Sequence, residues 1–158
     1  PQQMTNQPPV AQFQTRADRI AEEVIAILLT DSPLRQEKLS NFGEGVRTFL
    51  AKHPLFFFIL QAGDHDPLSL IEDSEQKSLA TRLTFRLLGG PEFINLSKEE
   101  IHEKNKTLLE EYERVLESEV GTTQKLQNIQ LALAEAEKNG NKEEEMRLRK
   151  EFSELSSR

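Results

Sequence analysis

Ala136-Glu137-Lys138-Asn139-Gly140-Asn141-Lys142-Glu143-Glu144 decides the fold. Gly140 is suited to the left-handed backbone that closes a helix, so the helix before it is expected to stop at Asn139-Gly140-Asn141. Asn141-Lys142-Glu143-Glu144 then opens a last helix. Two helices joined by so short a turn fold back as an antiparallel hairpin. The last helix carries Leu148, Phe152 and Leu155 on one stripe, which predicts packing against Leu126, Ile129, Leu133 and Ala136.

Toward the N-terminus, the helix entering that turn is expected to be long. Ser97-Lys98-Glu99-Glu100 is a capping box. Ile101, Leu108, Tyr112, Val115, Leu116, Leu126, Ile129 and Leu133 follow at steps of three, four or seven. The spacing predicts nearly continuous helix from Lys98 to Lys138. Gly121 costs about 1 kcal/mol there and is the expected place for any bend.

Prolines at 1, 8, 9, 33, 54, 67 and 91 break the earlier region into shorter pieces. Helices are expected over Thr15 to Leu29, after Pro33, over Val46 to Lys52, over Leu55 to Gln61 with Pro54 at its start, and over Ser74 to Leu88. Asn41-Phe42-Gly43 and the stretch from Gly63 to Pro67 read as turns. Nothing alternates like a strand and nothing repeats. The expectation is an all-α protein: an N-terminal multi-helix bundle, then a long helix and a C-terminal antiparallel helical hairpin. Residues 1–13 read as a disordered linker, 14–110 as the bundle subdomain and 111–158 as the hairpin subdomain. The chain does not begin with Met, and we expect it to be cut from something longer.

Composition narrows the function. With no cysteine, disulfides, Cys-ligated zinc and cysteine nucleophiles are excluded. The net charge of -7 lacks the basic balance that phosphate neutralisation favours, so protein partners are expected rather than nucleic acid. No run approaches the roughly 20 apolar residues of a membrane helix. The uncharged start is not a signal peptide. No membrane partner and a cytoplasmic setting are expected.

Chemistry-bearing patterns are few. Asp64-His65-Asp66 resembles a metal dyad, and His53 could join His65 and Asp66 in a small all-helical metal-dependent hydrolase. The blander reading is a polar loop whose Asp caps the next helix beside Pro67. No phosphate loop, nucleophile elbow or Gly-x-Gly-x-x-Gly turn is present. Glutamate runs such as Glu143-Glu144-Glu145 read as solvated helix faces. No catalytic residue, metal or cofactor is expected. Phe56-Phe57-Phe58 covers about 300° of a helix. Burial all round is the favoured expectation, with one Phe as a contact residue the alternative.

The hairpin says more. Leu131 and Met146 lie about 140° and about 160° off its apolar stripes, where two helices offer no third layer. With Arg147 and Arg149 beside Met146, and with Phe152 and Leu155 along the last helix, they are the expected partner-binding residues.

The pattern resembles the C-terminal helicase-binding domain of bacterial DNA primase. Ala21-Glu22-Glu23-Val24-Ile25-Ala26-Ile27-Leu28-Leu29-Thr30-Asp31-Ser32-Pro33 looks like that family's first helix. The stretch from Leu131 to Glu145 looks like its Gly-containing turn, and Arg147 to Leu155 like its last helix. The likeness spans residues 16–158. It implies a non-catalytic fragment of a DNA-directed RNA polymerase, with a bundle that stimulates the replicative DnaB-type helicase and a hairpin that binds the helicase's N-terminal domains. Some relatives also bind single-strand-binding protein through basic, Thr and Met positions in the first helix. This chain departs from them at Ile20-Ala21-Glu22-Glu23.

Three other readings stay open. The N-terminal domain of the helicase itself has a similar bundle, but would continue into an ATPase domain, whereas Ser156-Ser157-Arg158 is a polar ending. The metallohydrolase would need tightly bound metal. A coiled-coil adaptor would self-associate through the 98–138 helix.

Overall fold

The computed structural model describes residues 15–157. The expected linker 1–13 lies outside them. Among the described residues there are seven α-helices, one short 3-10 turn and no strand, so the fold is all-α.

α1 (Arg16–Thr30) opens on a reciprocal cap: Thr15 accepts from the Asp18 amide at 3.1 Å, and Asp18 accepts from the Thr15 amide at 3.0 Å. Six consecutive residues, Val24 to Leu29, are buried. A helix apolar on every side belongs at the centre of a fold. α1 accordingly packs against α2 (Ser32–Leu39), α3 (Glu44–Leu50), α4 (Phe56–Ala62), α5 (Ser74–Leu88) and α6 (Lys98–Lys138). At Gly45, α3 lies so close to α6 that an added Cβ would stand 3.1 Å from Val120 Cγ1.

Asp31 ends α1 and begins α2. Its amide donates to Ile27 at 2.9 Å, and its carboxylate accepts from the Leu34 amide at 3.1 Å. One turn later Arg35, 1% exposed, gives its guanidinium to three carbonyls: Leu28 at 2.9 Å, His65 at 2.8 Å and Gly63 at 3.3 Å. That side chain ties the end of α1 to the loop after α4. Burial lowers the Arg35 pKa, and Asp66 and Asp31 oppose the shift. An arginine keeps its charge through such a change.

Pro54 does not occupy the first helical position as expected. It sits in a turn, and α4 starts two residues later with Leu55 as its cap. The Phe56-Phe57-Phe58 expectation is also corrected. Phe56 is buried and Phe58 packs against the core, but Phe57 is 58% exposed. A short surface helix cannot cover the 300° arc that three neighbours span, and Phe57 is left edge-on to Phe58 at 5.7 Å.

α6 runs unbroken for 41 residues, through Gly121. At 1.5 Å per residue that is about 60 Å. Its Ser97 box forms as expected, with the Ser97 amide donating to Glu100 at 2.8 Å. Two apolar clusters lie along it. Leu109, Leu116 and Tyr112 belong to the first, with α1 at its centre. Ile129, Leu133 and Ala136 join Leu148, Phe152 and Leu155 of α7 (Lys142–Ser156) in the second. The 110/111 boundary expected from sequence therefore falls inside one helix, and Tyr112 and Leu116 beyond it still pack with the bundle. Leu126 is half-buried and outside the second cluster.

Candidate functional site

The hairpin turn is built by two asparagines around a glycine. Gly140 has φ 67°, the left-handed region that costs an L side chain about 1–2 kcal/mol. That geometry lets the Gly140 amide donate to Glu137 at 3.2 Å and the Asn141 amide to Ala136 at 3.0 Å, the paired bonds of a Schellman stop. Asn141 then caps α7, its side chain accepting from the Glu144 amide at 3.2 Å. One residue thus closes one helix and opens the next, which forces the chain back along α6.

The expected site residues differ in exposure. Phe152 and Leu155 are half-buried on the border of the seam that Leu148 fills. They hold the hairpin together while keeping part of each side chain at the surface. Leu131 and Met146 are 72% and 74% exposed, on the outer sides of α6 and α7. Arg149 reaches across the hairpin to Glu137 at 3.0 Å. Arg147 is clasped by Glu144, with Nε to Oε2 at 3.0 Å, and stands 4.0 Å from Glu151. The Arg147 hydrogen bond holds the Glu144 carboxyl below its ordinary pKa, and the same bond raises Arg147. Both cations therefore sit beside carboxylates already, at a rim where such pairs orient side chains more than they add stability.

Asp64-His65-Asp66 takes the bland form. The side chains of His65 and Asp64 are 83% and 80% exposed. Asp66 accepts from the Leu68 amide at 3.0 Å and caps the 3-10 turn Pro67–Leu70. What the fold uses of His65 is its carbonyl, held by Arg35. His53 lies elsewhere, half-buried, with Nδ1 accepting from the Leu55 amide at 3.2 Å. Among the described residues no group of three or more His, Asp and Glu side chains could hold a metal ion. No helix of the described residues is long and apolar enough to cross a membrane.

Sequence reading missed a polar junction. Asp31 receives the Nδ1–H of His102 at 2.8 Å, and Asn105 Nδ2 lies 3.4 Å from the same carboxylate oxygen. The carboxylate is an acceptor, which places a proton on Nδ1. His102 and Asn105 sit three residues apart on α6 and share a face. That spacing was the one available signal, since nothing in the sequence pointed to Asp31 as their partner.

No protein-family model matches the chain, and no curated protein and no solved structure matches it either.

Proposed function

We propose that the chain is a non-catalytic docking module, the helicase-binding domain of a bacterial DNA primase acting in the cytoplasm. The observation that carries this reading is the exposure of Leu131 and Met146, at 72% and 74%, on a hairpin whose own seam is already filled by Ile129, Ala136 and Leu148. Met and Arg are enriched at protein interfaces, and Met146 stands beside Arg147. The partner is the N-terminal domain of a hexameric replicative helicase, and the hairpin docks on it helix against helix. Arg147 and Arg149, held by Glu144 and Glu137, set the rim chemistry. The bundle around α1 supports the start of α6 and modulates the helicase.

Titration with a purified helicase N-terminal domain, followed by NMR, tests this. Shifts are expected mainly over 125–158. Leu131→Asp and Met146→Asp should each weaken binding by about tenfold, on the order of 1.4 kcal/mol, with the helical signal unchanged. Full affinity in the folded double variant would remove the hairpin from the interface.

A further inference from the structure

A cavity of about 700 Å³ opens where α1 ends, α2 begins and the first turns of α6 pass. Pro33, Leu88 and Ile101 give it apolar walls, and Asp31, His102 and Asn105 a polar one. Asn105 is 1% exposed, and its Oδ1 is buried without a hydrogen-bond partner. A buried acceptor left without a donor is uncommon and costly. His102 has its Nδ1 committed to Asp31. The polar wall thus has no donor for Asn105 Oδ1.

Charge points the same way. Asp31, Glu99 and Glu103 line the cavity against the single ammonium of Lys98. The helix N-termini nearby would favour an anion. They are already served: Asp31 caps α2, and Ser97 with Glu100 caps α6. The C-terminal end of α1 favours a cation. Arg35 already meets that end from inside the fold, donating to Leu28 at 2.9 Å.

We propose that this cavity binds a guanidinium group, the side chain of an arginine presented by a partner protein. A guanidinium supplies planar donors to Asn105 Oδ1 and to the carboxylates of the lining, Asp31, Glu99 and Glu103, and carries the charge that the lining lacks. Its weak hydration suits partial burial, and its methylene stem suits Pro33, Leu88 and Ile101. This surface is separate from the hairpin, and its assignment stands or falls independently of the helicase reading.

The test is titration of the full chain with N-acetyl-arginine amide, followed by ¹H–¹⁵N NMR. Parallel titrations use N-acetyl-citrulline amide, N-acetyl-lysine amide and agmatine. Saturable shifts are expected at the Asn105 side-chain amide, His102 and Ile101. The citrulline and lysine probes should bind at least about tenfold more weakly. Asn105→Leu should abolish the response. Because that change touches a buried position, the exposed pair Glu99→Gln and Glu103→Gln provides a second variant, expected to weaken binding several-fold with an unchanged melting temperature. The proposal is overturned by the absence of saturable shifts, by an equal response to citrulline or lysine, or by an unaltered response in both variants. Tighter binding of agmatine than of the arginine amide would overturn the assignment to a partner's side chain.

Discussion

His102 donates its Nδ1–H to Asp31 at 2.8 Å across 71 positions of sequence. The same Asp31 carboxylate caps α2 and lies next to Asn105. Removing it takes away a helix cap, worth about 0.5–2 kcal/mol, and leaves polar groups on α6 without a partner, at about 1–3 kcal/mol. Asp31→Ala should therefore cost on the order of 3 kcal/mol in urea unfolding. Asp31→Asn, which keeps an acceptor, should cost less. Equal stability of Asp31→Ala and the parent chain would show that the junction is incidental.

The hairpin should melt by itself. Its seam has few buried residues, and Leu148 is the one that α7 contributes. Leu148→Ala should cost about 2 kcal/mol or more. The loss should appear as faster amide exchange over 126–156, while protection in α1 persists, because local stability follows local burial. Uniform loss of protection along the whole chain would show instead that the two clusters unfold as one.

His53 should make stability depend on pH. Burial lowers its pKa from the usual 6.5, and Glu22 only partly opposes this. Its Nδ1 also accepts a hydrogen bond, which requires the neutral ring. As pH falls below about 6.5, the unfolded chain takes up the proton before the folded one does, so stability falls with pH through that window. His53→Gln should flatten the slope of the urea midpoint there. An unchanged slope would assign the dependence to other groups.

The fold was legible where one helix's grammar decides it. The Ser97 box, the Asn139-Gly140-Asn141 stop and the Leu148 stripe all follow from spacing within a single element. Leu131 and Met146 were legible as surface residues for the same reason, being measured against stripes on their own helices. Sequence was silent where contacts join distant elements. Arg35 reads as an ordinary helical cation, and only the fold brings Gly63 and His65 to it. Asp31 reads as a helix stop, and its role as acceptor for His102 requires α6 to pass alongside. Phe57 was misjudged because the centre of the bundle is α1 rather than α4.

The unbroken course of α6 fixes an azimuth. At about 100° per residue, going from Leu116 to Ile129 turns the inward face of the helix by about 220°. The bundle and α7 therefore pack on different flanks of α6. The number of residues between the clusters, more than their identity, sets the direction in which the hairpin points.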